Sequence, residues 1–474
     1  MGCCIQRHCK LESAICFLIY LGYEIAMSDF LSAVNAIDVA SAEGGFSLSS
    51  NPLLTERVLS SSSLNRVSDR DRCFHDWYRF VLSFPPHLVK DYLVNHFKLS
   101  PGSVVLDPFC GTGTTVVEAK LNGFSGVGIE ANAIAHLAGS TKINWGVDVD
   151  KLDLCALEVM RLCNKIYSGS SEPRSLEPEK EKLLLTNSIS PVPLYKSLVL
   201  KEVCNSVDCE EGVRNILLVA FAKTLVFSAS NLRFGPEVCV RGKKEDAPVF
   251  EAWLENIKQI SSDLRSVGGQ QYLNANIILA DSRSMSGYLQ KASIDAVFTS
   301  PPYPNEKDYT RTTRLESVLL DFINSKEELR AIKKTLLRSN TRGVYKGDED
   351  DVWVAKYQSI NQIADEIERR RIELGKNSGF EKLYARVTKL YFGGMAKHLS
   401  ELRPFLKPGA KLGYVVGDQA SYLRVMIRTG ELLAEIARDL GYEVVSIDLF
   451  RTRISTATKA YMREEVLVLR WPGQ

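Results

Sequence analysis

Ser300-Pro301-Pro302-Tyr303 sets a hydroxyl, backbone carbonyls and an aromatic ring at the end of an apolar run, Ala296-Val297-Phe298. The run reads as a buried parallel strand, and open α/β sheets gather their chemistry at the carboxyl ends of such strands. Two consecutive prolines cannot continue a strand ladder and hold φ at about −65°, so the Ser300 and Pro301 carbonyls point outward from a stiff corner. Neither proline has an amide hydrogen, so the corner offers mainly acceptors. It suits an amino group on a flat ring: acceptors take the hydrogens while the Tyr303 face stacks on the ring. A bare PPY is usually an ordinary turn with a packing tyrosine. A second constellation upstream changes that reading.

Asp107-Pro108-Phe109-Cys110-Gly111-Thr112-Gly113-Thr114-Thr115 follows a short apolar strand at 104–106 and precedes a helix expected over about 116–122. The next expected strand, Gly126-Val127-Gly128-Ile129-Glu130, ends in an acid 23 positions after Asp107. That spacing places Glu130 at a neighbouring strand tip, where a ribose would present its two hydroxyls. No lysine follows the second glycine, which disfavours a P-loop, and Val116 stands where a dinucleotide fingerprint wants a third glycine. A nucleoside-type ligand without a pyrophosphate remains, passing over Gly111 and Gly113 where side chains are absent.

These groups need a sheet to bring them together. Apolar runs at 276–280, 412–418, 442–449 and 465–470 add strands, the first ending in Asp281-Ser282. Helical spacing at 88–97 leads into the first strand, and further helices are expected at 383–402 and 427–440. Helical patterns over 154–166, 213–228 and 249–264 break the strand–helix rhythm and read as an insertion. Its stretches Ser230–Pro236 and Arg241–Lys244 form a polar, basic loop, read first as solvated surface and second as a phosphate contact. A second insertion begins at Pro304. Acids are interspersed along it, so most of its basic residues read as a solvated face, while Arg311 and Arg314, close behind the proline corner, are the candidates for phosphates.

The chain has 474 residues, 45% hydrophobic and 24% charged, with a net charge of +2: an ordinary globular composition that neither demands nor excludes nucleic acid. Eleven scattered cysteines, none after Cys239, match no secreted disulfide framework, so a reducing, cytoplasmic setting is expected. Cys204 and Cys209 have no CxxC pair or histidine cluster beside them, and no structural metal is expected. An apolar run at 14–20 is too short to span a bilayer, and no membrane helix is expected. Met27 is the expected physiological start, with 1–26 a dispensable extension and 27–70, rich in Ser, Ala and Asn, a loose lead-in.

Together, Asp107–Thr115, Glu130, Asp281 and Ser300–Tyr303 resemble the S-adenosylmethionine-dependent DNA amino-methyltransferases, which modify cytosine N4 or adenine N6. The resemblance spans roughly 72–470 without the two insertions. It implies an α/β, Rossmann-like class I methyltransferase sheet of seven strands with a closing β-hairpin. The organisation that follows is an extension at 1–71, a cofactor-binding half at 72–149 and a helical insertion with possible target recognition at 150–275. Catalytic strands at 276–303, a basic helical insertion for DNA contacts at 304–380 and the rest of the sheet at 381–474 complete it.

The family pattern assigns S-adenosyl-L-methionine to Asp107, Phe109, Gly111, Gly113, Thr114, Glu130 and Asp281. Asp107 and the glycines would take the methionine part, Glu130 the ribose and Asp281 the adenine amino group. Phe84-Pro85 looks like the segment that closes over the methionine end. Ser300, Pro301, Pro302 and Tyr303 would handle the target base, with Cys110 a bystander and no metal required. The partners implied are double-stranded DNA and a cognate restriction endonuclease.

Serine ahead of PPY is more typical of the N4-cytosine enzymes and Asp or Asn of the N6-adenine enzymes, so cytosine is favoured. The alternatives are an RNA guanosine-N2 or protein-glutamine methyltransferase, which share a related PPY turn, and a non-catalytic nucleic-acid-binding subunit that keeps the fold. The long insertion between Glu130 and Asp281 departs from the family pattern and leaves open which insertion reads DNA.

Overall fold

The apolar runs form seven strands of one sheet: β1 (Val104–Asp107), β2 (Ser125–Glu130), β3 (Ala275–Leu279), β4 (Ile294–Thr299), β5 (Leu406–Gly417), β6 (Glu443–Ile454) and β7 (Tyr461–Arg470). They pair in the order β3-β2-β1-β4-β5-β7-β6. Neighbours from β3 through β5 are parallel, and β7 runs antiparallel to both β5 and β6. One reversed strand slotted between two parallel ones gives the class I methyltransferase sheet with its closing hairpin. The computed structural model describes residues 71–79, 84–169, 173–234, 237–305, 307–454 and 461–473, all within one compact unit, Leu53–Gln474. The expectations for residues 1–70, the Met27 start included, lie outside the described residues.

Strand order fixes where a ligand can sit. Succession runs outward from β1 to β3 on one side and from β4 to β5 on the other, so the switch point lies between β1 and β4. Those strands pair Val105 with Ala296 and Leu106 with Val297. The glycine loop after Asp107 and the proline corner after Thr299 therefore emerge side by side. Fully buried Leu106, Val297 and Phe298 explain the unbroken apolar runs, because both faces of these strands are covered.

Strand β5 starts earlier than its apolar pattern indicates. Lys407-Pro408-Gly409 lies within it, and the register slips between the pairs Ile294–Leu406 and Ala296–Lys411. The extra residues are taken up as a bulge, a place where strand proline is tolerated.

The first insertion packs helices Val149–Gly169, Pro191–Ser206, Glu211–Thr224 and Val249–Ser266 around one core, which also contains Val116, Ile134 and Ile277 of the sheet domain. Asp263 on the last of these helices accepts from Trp77 Nε1 at 2.8 Å and from the Phe74 amide at 3.2 Å. Among the described residues one helix, Glu211–Ala229, is long and apolar enough to cross a membrane. Its Ile216, Leu217, Ala220 and Phe221 are fully buried in this core, the position of a core helix.

The second insertion lies on the helix Tyr384–Leu402. Val354, Ile360 and Ile367 share a core with that helix's Tyr391, Phe392 and Met395. Two helix glycines permit the approach. A Cβ on Gly393 would fall 1.8 Å from the Asp350 carbonyl oxygen, and one on Gly394 would lie 2.5 Å from Leu337 Cδ1. This contact sets the segment Arg338–Asn340 beside the strand tips.

Candidate active site

A cavity of about 680 Å³ opens at the carboxyl ends of the central strands. Pro108, Phe109, Gly111 and Thr114 line it from the glycine loop, Glu130 from β2, and Ser300, Pro301, Pro302 and Tyr303 from the turn after β4. Two stretches almost two hundred residues apart in sequence thus form one chamber. Its size lies in the range of about 300–1,000 Å³ usual for small-ligand sites.

Glu130 stands in the wall with both carboxylate oxygens oriented. Oε2 accepts from the Gly111 amide at 2.8 Å and Oε1 from the Asn132 amide at 2.7 Å. Each oxygen keeps a further acceptor position, the arrangement that a pair of vicinal hydroxyls requires. Burial pushes this carboxyl up to about 7, against the pull of those backbone amides. Gly111 turns the loop with a φ of 52°, and the buried Lys142 ammonium holds it from behind, donating to the Thr112 carbonyl at 3.1 Å and the His75 carbonyl at 3.3 Å. Phe84 also lines the cavity.

Three residues expected to touch the cofactor sit elsewhere. Asp107 is fully buried beneath the wall. Its Oδ1 accepts from the Thr299 hydroxyl at 2.6 Å and the Phe109 amide at 3.1 Å, so it shapes the loop rather than facing the cavity. Burial pushes its carboxyl up to about 6. Gly113 (φ 87°) is a packing glycine, because a Cβ there would meet Gly139 Cα at 3.2 Å and Ile277 Cδ1 at 3.3 Å rather than a ligand. The Asp281 carboxylate is taken by Arg283, whose Nε approaches to 3.0 Å and whose second nitrogen to 2.7 Å. Ala280 and Ser282 line the cavity in its place.

All four residues of the proline corner line the cavity. The Ser300 hydroxyl donates to the Val415 carbonyl at 3.1 Å, which leaves it an acceptor, with the Tyr303 phenol close beside it. The Tyr303 ring lies on the backbone of Gly417, where a Cβ would come within 3.0 Å of its Cε2. Burial, with the Glu464 carboxylate nearby, holds the Tyr303 phenol well above its ordinary value, so the ring is neutral.

Arg314 departs from the phosphate role expected of it. Its guanidinium donates to the carbonyls of Thr310 at 3.0 Å and Leu183 at 3.2 Å, tying the two insertions together. Arg311 lies outside the cavity lining, with its Nε buried and, among the described residues, without a hydrogen-bond partner. Other wall residues lie outside the two motifs, and Arg338, read with its basic neighbours as a solvated face, is among them. Arg451, Arg453 and Glu464 arrive from the closing hairpin, and Arg338 and Asn340 from the second insertion. Lys307 and Asp308 join the wall from directly behind the proline corner.

A family model described as DNA methylase matches residues 56–138, the segment that holds the glycine loop and Glu130. The chain is 26% identical over 423 residues to the type II methyltransferase M.BsoBI of Geobacillus stearothermophilus, covering 81% of this chain and 82% of that one. It is 23% identical over 467 residues to the type II methyltransferase M.AvaI of a Nostoc species, covering 87% and 90% of the two chains. The solved rRNA methyltransferase aviRa from Streptomyces viridochromogenes superposes over 87% of the chain with a TM-score of 0.31 and 9% identity, too little to add to the topology. The chain is thus a relative of the DNA amino-methyltransferases that its motifs resemble, and S-adenosylmethionine is the methyl donor which that relationship implies.

Proposed function

We propose that the protein is a DNA methyltransferase that acts on the exocyclic amine of a base extruded from duplex DNA, with cytosine N4 favoured over adenine N6. The observation that carries this reading is the Ser300 hydroxyl, which lines the cavity and donates to Val415, so that an incoming amine meets it as an acceptor. S-adenosylmethionine supplies an activated methyl group when bound. Glu130 would hold its ribose hydroxyls, with Gly111, Phe109 and Thr114 beside its tail. Asp107 and Gly113 would act by shaping the loop, and Asp281 by fixing Arg283.

The rest falls to the proline corner. An exocyclic amine is a poor nucleophile because its lone pair is spread into the ring. The Ser300 hydroxyl and the Pro301 carbonyl accept its hydrogens, favouring a tetrahedral nitrogen whose lone pair is localised and aimed at the methyl donor. Tyr303 stacks on the extruded base and holds it at attack distance. A neutral serine suits an amine whose proton leaves after transfer, which supports cytosine N4. Duplex DNA is the substrate, and a cognate endonuclease acting at the same site is the expected partner. Arg311 is retained as a phosphate contact, and either insertion would read the sequence.

Nucleoside mass spectrometry on DNA from methylation-free cells expressing the chain tests this reading, with Ser300→Ala as control. N4-methylcytosine that disappears in the variant is the expected result. N6-methyladenine would keep the mechanism and change the base. Unmodified DNA beside methylated RNA or protein would overturn the reading.

A further inference from the structure

Lysine and arginine side chains in the cavity wall are tied to carboxylates almost throughout. Lys333 pairs with Asp308 at 2.7 Å and Arg338 with Asp348 at 2.8 Å. Arg453 pairs with Glu464 at 3.3 Å, and Arg451 with the same carboxylate. Lys307 differs. It lines the cavity and is half-buried, yet among the described residues no carboxylate lies within ion-pair distance of its ammonium.

Its placement is nevertheless fixed. The Lys307 amide donates to Asn305 Oδ1 at 3.0 Å, and its carbonyl accepts from Asn340 Nδ2 at 3.0 Å, so the second insertion clamps the turn that follows Tyr303. Burial first, and Arg453 next, lower the ammonium's affinity for its proton, while Glu237 and Glu464, beyond pairing distance, act the other way. A cation held in this way gains from an incoming anion.

We propose that Lys307 binds the DNA phosphodiester beside the extruded nucleotide, holding the strand at the cavity while Ser300 and Tyr303 hold the base. The proposal rests on the DNA-methyltransferase reading above. Lys307 follows Tyr303 by four residues and both lie near the Glu464 carboxylate, which puts Lys307 on the base side of the chamber. A base edge is uncharged, so the anion that accompanies an extruded base is its own backbone phosphate. The cofactor carboxylate is the competing anion, and the two separate experimentally.

The test is binding of a duplex carrying the methylated site, measured from 50 to 300 mM salt (about the range in which counterion release is read) for the wild type, Lys307→Gln and Lys307→Arg. Loss of one phosphate contact lowers the slope of log K against log salt by about 0.9 in Lys307→Gln, and Lys307→Arg restores it. Affinity for S-adenosylmethionine and the denaturation midpoint stay at wild-type values. A slope in Lys307→Gln equal to wild type, or a loss confined to cofactor affinity, overturns the proposal alone. A wild-type chain that leaves DNA unmethylated overturns it together with the reading on which it rests.

Discussion

The Thr299 hydroxyl donates to Asp107 Oδ1 at 2.6 Å, joining the tips of the two strands that carry the glycine loop and the proline corner. It links the proposed cofactor half directly to the base half, and it lies wholly inside the protein. Thr299→Val keeps the shape, removes this donor and pushes the Asp107 carboxyl above its already raised value, since that hydrogen bond favours the ionised form. The expected result is a stability loss of about 1–3 kcal/mol in chemical denaturation, the cost of a buried acceptor left unfilled. A several-fold rise in KM for S-adenosylmethionine should accompany it. Unchanged stability would mean that Asp107 finds another donor.

Tyr303→Ala and Glu130→Ala should separate the two halves of the chamber. Removing the ring at Tyr303 should abolish most turnover and leave cofactor affinity intact. Removing the carboxylate at Glu130 should weaken the cofactor first. Calorimetry and single-turnover rates on both variants read the difference, and equal loss of binding and turnover in Tyr303→Ala would remove the stacking role.

Glu130 also sets a pH dependence whose two signs oppose each other. Its carboxyl is raised from 4.5 to about 7 in the folded chain, so the folded state holds a proton that the unfolded state has released. Stability contributed by this group is present at low pH and is lost as pH rises through about 7. Ribose hydroxyls need the ionised form as acceptor, so cofactor affinity moves the other way, falling as pH drops below about 7, by up to about tenfold per unit. Glu130→Gln should bind the cofactor less tightly than wild type at pH 8, because its amide nitrogen can no longer accept, and should lose the slope between pH 5.5 and 8 in both stability and affinity. A wild-type affinity that is flat over this range would exclude Glu130 from the ribose site.

How much of this was legible in the sequence depended on how far the information lay from the residue that carries it. The strands around β1 and β4 announced themselves because both their faces are covered and the apolar runs are unbroken. Glu130 followed from spacing, since a strand, a glycine turn and a helix leave little freedom for the tip of the next strand. Asp281 was misplaced for the converse reason. Its strand end was correct, but the partner that takes its carboxylate, Arg283, is itself aimed by Asp350 from an insertion that no local pattern connects to it. The same limit hid Glu464 and Arg453, which reach the cavity only because β7 and β6 close the sheet beside β5.

Gly393 should be intolerant of any side chain. Mid-helix glycine costs about 1 kcal/mol relative to alanine, so its presence needs a return, and that return is contact with Asp350. A Cβ 1.8 Å from a backbone oxygen forces the second insertion off the helix. Gly393→Ala should cost about 1–3 kcal/mol or more by denaturation. It should also lower DNA methylation, because Arg338 and Asn340 are carried into the cavity wall by the same segment. Wild-type stability would show that this segment slides without loss.

Arg463 holds two carboxylates that the sheet buries completely. Its Nε lies 3.3 Å from Asp418 and 2.9 Å from Glu465, residues 0% and 1% exposed, and its other end reaches Glu431 at 2.8 Å. Burial pushes the Glu465 carboxyl up to about 7 while Arg463 pulls it down. Deleting one partner of a buried ionic group is costly because the remaining charges stay behind, so Arg463→Ala should lose about 3–5 kcal/mol at pH 8. Part of that loss should return at pH 6, where Glu465 without its arginine takes up a proton and no longer carries an unpaired charge. Denaturant titrations of wild type and variant at both pH values check the sign: a variant equally destabilised at pH 6 and pH 8 would show that Glu465 is solvated once the arginine is gone.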